Sequence, residues 1–328
     1  MTPESVDLSV EVGPLHLRNP VVAASGTVGY GEELRAYLDW SAVGGLVGKT
    51  ITLHPRAGNA PPRTAETPSG LLNSIGLQNE GLDSFVSKTL PQMRRLGTAV
   101  IVNIGGADIA EFRKLAEAIG REGGVDAIEL NISCPNVLEG GMFLDRDPDR
   151  IRSLMREVRS VTDLPLIAKL TPNVSDILEI ARAAMEGGAA ILSVANTYFG
   201  LAVDWRARRP LVASGTGGVS GPAIKPLSLK LAWEVAQTLK VPVMGIGGIL
   251  TAKDALEYIV AGCAAVQVGT ANFLDPSACA RIAEEMRGLL AQAGIGSVRE
   301  IIGTLKMPAH AKTGGPREAP QGRSSTPA

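Results

Sequence analysis

The sequence has few residues of the kinds that build metal sites and disulfide frameworks. Three cysteines and three histidines occur among 328 residues. Cys134, Cys263 and Cys279 are widely spaced and odd in number, which argues against disulfides and for a reducing compartment. The histidines form no HxH or HExxH group, and closely spaced cysteines are lacking. We therefore expect neither a bound metal ion nor an iron–sulfur cluster in this chain.

Long apolar runs and an excess of charge are also lacking. The chain has 32 basic and 33 acidic residues, a formal net charge of −1, which favours neither nucleic acid nor an anionic membrane as partner. No stretch approaches the roughly 20 apolar residues that span a bilayer. The N-terminal segment MTPESVDLSVEVG has no apolar core like that of a signal peptide. We expect a cytoplasmic protein whose redox chemistry, if any, rests on an organic cofactor.

What the sequence does contain is a regular alternation of two patterns. Apolar runs rich in Val, Ile and Ala recur between segments of helical periodicity, as is typical of strands buried on both faces of a parallel sheet. Eight such alternations predict an α/β fold, a (β/α)8 TIM barrel. Helix starts are predicted at Asp147-Pro148 and at Thr251 with Asp254. The predicted strands span residues 21–25, 45–50, 99–105, 127–133, 166–171, 190–197, 243–248 and 265–270.

Residues 1–308 are predicted to form a single barrel domain. An N-terminal β-hairpin, LSVEVGPLHLRNP, turns at Gly13-Pro14, and we expect it to close the bottom of the barrel. Residues 52–80 and 198–226 are too long and turn-rich to be simple connections, which predicts long active-site loops. Residues 309–328 read as a polar tail that we expect to be disordered.

Polar residues recur where the predicted strands end. Active sites of such barrels lie at the carboxyl ends of the strands. A single buried Asn is explained by capping of a loop backbone, but eight polar residues at equivalent positions indicate a site. Two of them are lysines in apolar surroundings, LVGKT and LIAKL, suited to stabilise negative charge or to hold a carboxylate. The eight are Ser25, Lys49, Thr50, Asn103, Asn131, Lys169, Asn196 and Thr197.

The last two predicted strands carry a phosphate-binding pattern. Gly247-Gly248 in GIGGI and Gly269-Thr270 in QVGTA follow strands seven and eight, where barrels often bind phosphate through backbone N–H groups. Glycine lets the backbone approach phosphate oxygens, and we expect the helix starting near Thr251 to add its positive end. A simple turn would not require glycine in both apolar-flanked loops.

Cys134, in NISCPN after the fourth strand, is the candidate reactive cysteine. Asn131 and Asn136 flank it with amide groups, and Pro135 ends the strand. Cys263, in the apolar run AGCAAV, fits a small buried hydrophobe instead. A thiolate at Cys134 requires either a pKa lowered from about 8.5 or an alkaline operating pH, and the sequence leaves both open.

These motifs resemble those of class 1 dihydroorotate dehydrogenases, and most closely the class 1B branch. The resemblance extends to about Pro308, and NSIGLQN together with NISCPN makes it specific. The matching segments are ASGTVGYGEE, GKTIT, NAPPRTAETPSGLLNSIGLQNEG, NISCPN, AKLTPN, VANTYFG, RRPLVASGTGGVSGPAIKP, GIGGI and QVGTANF.

The resemblance implies oxidation of (S)-dihydroorotate to orotate in UMP biosynthesis, with Cys134 as the base and FMN as the hydride acceptor. The residues it implies for FMN are Ser25, Lys49, Thr50, Asn103, Asn131, Lys169, Ala195, Gly221, Gly247, Gly248, Gly269 and Thr270. Those it implies for the substrate are Lys49, Asn73, Ser74, Ile75, Gly76, Leu77, Asn131, Asn136, Asn196 and Thr197.

The class 1B resemblance also implies a partner subunit that carries FAD and a [2Fe–2S] cluster and passes electrons to NAD. The assembly would contain a homodimer core within a heterotetramer. Two departures concern a lid or a partner surface: Tyr198-Phe199 replaces an aliphatic pair, and the loop after Cys134 reads VLEGGMFLDRDP. The alternatives are a fumarate-linked class 1 homodimer, a dihydropyrimidine dehydrogenase-like enzyme, and a non-catalytic phosphate-binding barrel.

Overall fold

The structure, a computed structural model, describes residues 1–132 and 146–308. Within these ranges the strands are β1 (Val10–Val12), β2 (Leu15–Leu17), β3 (Val21–Ala23), β4 (Gly45–Val47), β5 (Thr64–Thr67), β6 (Gly70–Asn73), β7 (Ala99–Ile104), β8 (Ala127–Asn131), β9 (Leu166–Lys169), β10 (Ile191–Val194), β11 (Tyr198–Gly200), β12 (Val203–Asp204), β13 (Arg209–Pro210), β14 (Gly217–Ser220), β15 (Val243–Ile246) and β16 (Ala265–Val268).

The helices in the same ranges are α1 (Gly81–Ser84), α2 (Leu90–Met93), α3 (Ile109–Gly120), α4 (Pro148–Arg159), α5 (Ile177–Glu186), α6 (Lys225–Leu239), α7 (Ala252–Ala261), α8 (Ala271–Leu274) and α9 (Ala278–Gln292). A π-helical turn, Phe85–Thr89, joins α1 to α2. Short 3-10 turns span Pro3–Ser5, Glu32–Leu34, Trp40–Ala42, Pro222–Ile224 and Val298–Ile301.

The eight predicted strands form one closed parallel barrel, so the predicted fold class is confirmed. Their order around the barrel is β3, β4, β7, β8, β9, β10, β15 and β16, with β16 pairing back to β3. Each observed strand ends before the predicted carboxyl end. Lys49 and Thr50, for example, were placed within strand two, but β4 ends at Val47. The polar residues beyond these strand ends, such as Lys49, Thr50 and Asn196, lie outside the hydrogen-bonded ladder, whereas Asn103, Asn131 and Lys169 remain within it.

The N-terminal hairpin is confirmed, and it packs against the amino end of the barrel. Strands β1 and β2 bury their valines and leucines and expose Glu11 and His16. Gly13, at φ +58°, turns the hairpin, and a Cβ on it would lie 3.1 Å from the carbonyl oxygen of Ala190, just before β10. Because parallel strands all start at the same end of a barrel, this contact leaves the opposite end open.

The two long loops predicted from the sequence contain strands that pair in a second sheet. Residues 52–80 supply β5 and β6, and residues 198–226 supply β11 and β14, in the antiparallel order β11, β14, β6, β5. The loops pair through Leu72 with Val219 and Asn73 with Gly218. A Cβ on Gly217 would lie 2.5 Å from the Asn73 carbonyl oxygen, which explains glycine at this contact.

Both predicted helix starts are confirmed. The side chain of Asp147 accepts hydrogen bonds from the backbone N–H groups of Asp149 and Arg150 and so caps α4, with Pro148 at the first helical position. Thr251 and Asp254 form a reciprocal capping box at the start of α7. Asp254 also accepts a 2.5 Å hydrogen bond from Lys225 Nζ, which ties α7 to the start of α6.

We predict opposite effects from alanine at two glycines that differ in their surroundings. A Cβ on Gly44, just before β4, would lie 2.0 Å from the backbone oxygen of Asn19. A Cβ on Gly288 in α9 would have no described atom within 4 Å apart from its chain neighbours and the backbone of its own helix. Gly44→Ala should therefore lower the free energy of unfolding by about 3 kcal/mol or more, at the upper end of overpacking penalties. Gly288→Ala should raise it by about 1 kcal/mol through helix propensity.

Urea unfolding followed by circular dichroism measures both changes. A Gly44→Ala variant as stable as the wild type would contradict the close approach of β4 to the segment that precedes β3.

Candidate active site

A cavity of about 430 Å³ opens at the carboxyl ends of the barrel strands. Its size falls within the roughly 300–1,000 Å³ that is usual for small-molecule sites. Leu71 and Asn73 from β6, with Gly217, Gly218 and Ser220 from β14, line it on the side of the second sheet. The sheet formed by the two long loops therefore covers part of the opening.

Most residues proposed from the sequence meet in this cavity. Two do not line it: Asn103 is buried inside the barrel, and the buried hydroxyl of Ser74 accepts a hydrogen bond from Asn59. Cys134 and Asn136 lie outside the described residues. Those that line the cavity are Ser25, Lys49, Thr50, Asn73, Ile75, Gly76, Leu77, Asn131, Lys169, Ala195, Asn196, Thr197, Gly221, Gly247, Gly248, Gly269 and Thr270.

The two glycine-bearing loops lie side by side at one end of the cavity. Gly247 and Gly248 have φ of +131° and +68°, and a Cβ on Gly248 would lie 2.6 Å from Cβ of Lys225. Only glycine fits there. Gly269 differs, because a Cβ on it would make ordinary 3.7 Å contacts. Packing within the protein does not require glycine at this position, so its missing side chain leaves room in the cavity.

Two backbone N–H groups just before the helix that follows the first glycine loop are already hydrogen-bonded within the protein. Asp254 Oδ2 already accepts the backbone N–H groups of Leu250 and Thr251, at 3.0 and 2.9 Å. Burial acts to raise the pKa of this carboxyl, but its bonds to Lys225 and to these N–H groups hold the pKa below its usual value. The helix therefore offers an anion its dipole rather than these two donors.

Amide side chains also line the cavity and bond to each other and to the loops. Asn196 Nδ2 donates to Asn131 Oδ1 at 3.3 Å, and Asn73 Nδ2 donates to the backbone oxygen of Gly218 at 3.1 Å. These bonds fix the amides at the ends of β8 and β6 relative to the loop after β10. Ser25 Oγ is buried and has no hydrogen-bond partner among the described residues.

Sequence reasoning did not single out Asn173, which also lines the cavity. Its Nδ2 donates to the backbone oxygen of Thr197, and its Oδ1 accepts the backbone N–H of Phe199 at 3.0 Å. Asn173 thereby holds the start of β11 over the site. Its place in the quoted motif AKLTPN was the available signal. Phe199, one of the two departures noted in the sequence, lines the mouth and is 42% exposed.

A buried polar cluster lies inside the barrel, centred on Glu129 of β8, which has no exposed surface. Its Oε2 accepts hydrogen bonds from Ser193 Oγ at 2.8 Å and Gln267 Nε2 at 2.6 Å. Its Oε1 accepts one from Asn103 Nδ2 at 2.7 Å and lies 3.7 Å from Lys169 Nζ. Sequence reasoning missed Glu129, although a carboxylate within the apolar strand AIEL was a visible signal.

Comparison with known proteins identifies the family. Residues 7–290 match the family model described as dihydroorotate dehydrogenase. The chain belongs to the dihydroorotate dehydrogenase family. Relatives named "Dihydroorotate dehydrogenase B (NAD(+)), catalytic subunit" include one from Geotalea uraniireducens, 52% identical over 91% of this chain and 98% of the relative. One from Geobacter sulfurreducens is 51% identical and one from Bacteroides thetaiotaomicron is 47% identical. Both matches cover 92% of this chain and 99% of the relative.

The resemblance inferred from the sequence is thus confirmed, and the chain is an oxidoreductase of the dihydroorotate dehydrogenase family. Within residues 1–132 and 146–308, no helix is long and apolar enough to cross a membrane. The same residues contain no group of three or more His, Cys, Asp or Glu side chains placed to hold a metal ion.

The two described cysteines are placed as structural residues. Cys263 and Cys279 are both fully buried. Burial raises the pKa of the Cys279 thiol to about 12, against the lowering effect of its hydrogen bond to Asn272. Burial also raises the pKa of Cys263 far above that of an ordinary thiol.

We predict that Cys263 and Cys279 do not react with a thiol reagent in the native protein at neutral pH. A raised pKa keeps each thiol protonated, and burial excludes the reagent. Labelling with dithionitrobenzoate, followed by peptide mass spectrometry, should place any fast native reaction on Cys134. All three cysteines should react in denaturant. Fast native labelling of Cys263 or Cys279 would contradict the packing around α7 and α9.

Proposed function

We propose that this protein oxidises (S)-dihydroorotate to orotate in de novo pyrimidine biosynthesis, with FMN as its cofactor and Cys134 as the base. The observation that carries the proposal is the cavity itself. In one family-matched barrel it combines a glycine cradle, two lysines and a set of amide side chains. The comparisons do not favour a dihydropyrimidine dehydrogenase-like enzyme or a fumarate-linked homodimer.

The residues of the cavity fit FMN. Gly247 and Gly248, whose positive φ suits glycine, form with Gly269 and Thr270 a concave end suited to a phosphate. Ser25 Oγ, which lines the cavity, and Asn103 Oδ1, inside the barrel, are buried oxygens without a partner among the described residues. A bound ligand would supply the missing hydrogen bond at Ser25. When bound, the flavin ring accepts a hydride. We propose for it, besides these residues, Lys49, Thr50, Asn131, Lys169, Ala195 and Gly221.

The amide-rich side of the cavity fits dihydroorotate. This substrate is a cyclic amide that bears a carboxylate, so it requires both donors and acceptors together with one cation. We propose that Lys49 holds the carboxylate and that Asn amides bond the ring. The substrate residues we propose are Lys49, Asn73, Ser74, Ile75, Gly76, Leu77, Asn131, Asn136, Asn196 and Thr197.

Oxidation removes a proton from C5 and a hydride from C6 of the substrate, so a base and the hydride acceptor must lie on opposite faces of the ring. We propose that Cys134 Sγ takes the C5 proton. Asn131, the last residue of β8, bonds Asn196 after β10 and lies three positions before Cys134. The chain's own contribution is thus to bind the ring, to orient it and to accept one proton.

We predict that Cys134→Ala leaves FMN bound but slows flavin reduction by dihydroorotate about 10²- to 10⁴-fold, the usual contribution of a positioned base. Anaerobic stopped-flow bleaching of the flavin measures the rate. Cys134→Ser is the matched control for size, since it keeps a small polar side chain with a much higher pKa. An undiminished bleaching rate in the alanine variant would exclude Cys134 as the base.

The relatives are named as NAD(+)-linked catalytic subunits, which supports a partner for this chain as well. We propose that the partner carries FAD and a [2Fe–2S] cluster, and that two copies of each chain form a heterotetramer around a homodimer core. The GIGGI glycines, the candidate dinucleotide fingerprint, lie in the proposed phosphate cradle. We propose that NAD reacts on the partner. We also propose the cytoplasm as the compartment and residues 1–308 as a single barrel domain.

We predict that the isolated chain reduces artificial dyes with dihydroorotate but reduces NAD⁺ negligibly until the partner is co-expressed. The reason is that the candidate dinucleotide fingerprint of the sequence, GIGGI, is already assigned to the FMN phosphate. Absorbance of NADH during turnover, with and without the partner, is the measurement. Efficient NAD⁺ reduction by this chain alone would overturn the partner proposal, and rapid turnover with fumarate would favour the homodimer alternative.

A further inference from the structure

The Glu129 carboxylate lies in the barrel interior and has no contact with solvent, since its side chain is 0% exposed. An unpaired charge in such a place costs several kcal/mol. Three hydrogen bonds and one ammonium group surround it instead, from Asn103, Ser193, Gln267 and Lys169. The two amide N–H groups and the ammonium act only as donors, so the arrangement fits the ionised carboxylate, which acts only as an acceptor.

The cluster reaches the cavity through Lys169. Lys169 lines the cavity, and its Nζ lies 3.7 Å from Glu129 Oε1, with only 7% of its side chain exposed. Glu129 itself does not line the cavity. The pair therefore presents its positive member to the ligand and keeps its negative member behind, inside the barrel. For a cofactor that contacts Lys169, the nearby Glu129 carboxylate would offset part of the positive charge of the lysine.

We propose that Glu129 is a positioning residue that sets the electron affinity of the cofactor: it holds Lys169 at the cavity and offsets part of its positive charge. The inference rests on the proposed function, since it takes the flavin to lie on Lys169. Reduction places negative charge on the flavin. A negative charge at Glu129 disfavours that form, and the low polarity of the barrel interior strengthens the effect relative to water.

The substitution that isolates the charge is Glu129→Gln, which keeps the size of the side chain and removes its charge. Lys169 then lacks its counter-charge, so the equilibrium should shift at least tenfold toward reduced flavin, which for a two-electron couple is a rise of about 30 mV in the midpoint potential. Glu129→Asp keeps the charge and loses packing. Its potential should stay within about threefold of the wild-type equilibrium, or about 15 mV.

The measurement is the midpoint potential of FMN in each full-length holoprotein, taken by anaerobic titration against a reference dye. The FMN dissociation constant and the thermal unfolding midpoint are measured beside it. A purely structural role for Glu129 would lower the unfolding midpoint of both variants without separating their potentials. An unchanged or lowered potential in Glu129→Gln, or equal shifts in Glu129→Gln and Glu129→Asp, overturns the proposal.

A second pair of variants keeps the test decisive if Glu129→Gln fails to fold. Lys169→Met should lower the potential, and the double variant Glu129→Gln/Lys169→Met, which leaves no unpaired buried charge, should restore part of it. Equal potentials in these two variants overturn the proposal. A wild-type protein that binds no FMN would instead refute the proposed function, so the two failures are distinguishable.

Discussion

The closure of eight parallel strands into a barrel is the constraint on which the other features of this protein depend. Parallel strands share one direction, so closure brings all their carboxyl ends to a single rim. Residues as distant in sequence as Ser25, Lys169 and Thr270 line one cavity for this reason. The hairpin β1–β2 packs at the other end, near Ala190, and leaves this rim to the ligand.

The second sheet, which covers part of the cavity opening, depends on a close contact between two loops. Strands β6 and β14 come from loops separated by more than a hundred residues, and their pairing is possible because β14 begins with two glycines. A side chain on Gly218 would meet Thr197 Oγ1 at 2.1 Å, so the loop after β10 and the second sheet pack without space between them. Asn173 adds hydrogen bonds that hold the same loop from below.

Two opposite charges, on Lys169 and Glu129, lie next to each other at the cavity and behind it. Lys169 lies at the cavity and Glu129 lies behind it inside the barrel, so the pair presents its positive member to the cavity. The buried amides of Asn103 and Gln267 donate N–H hydrogen bonds to the Glu129 carboxylate. The oxygens of the same two amides, Asn103 Oδ1 and Gln267 Oε1, have no partner among the described residues. A barrel interior that is otherwise apolar thus contains one polar column, which connects the cavity to β16.

The sequence by itself determined the strand and helix pattern, because buried parallel strands require continuous apolar runs and helix starts require capping residues such as Asp147 and Thr251. It also determined most of the cavity lining, since polar residues at strand ends have one destination in a barrel. Tertiary structure alone decided which residues meet across the barrel. Glu129 reads as one charge within a strand, and only the fold brings Ser193 and Gln267, from β10 and β16, within hydrogen-bond distance of it. The second sheet was likewise decided by contacts between β6 and β14, which are far apart in the sequence. Pairing between strands so distant leaves no local periodicity in the sequence.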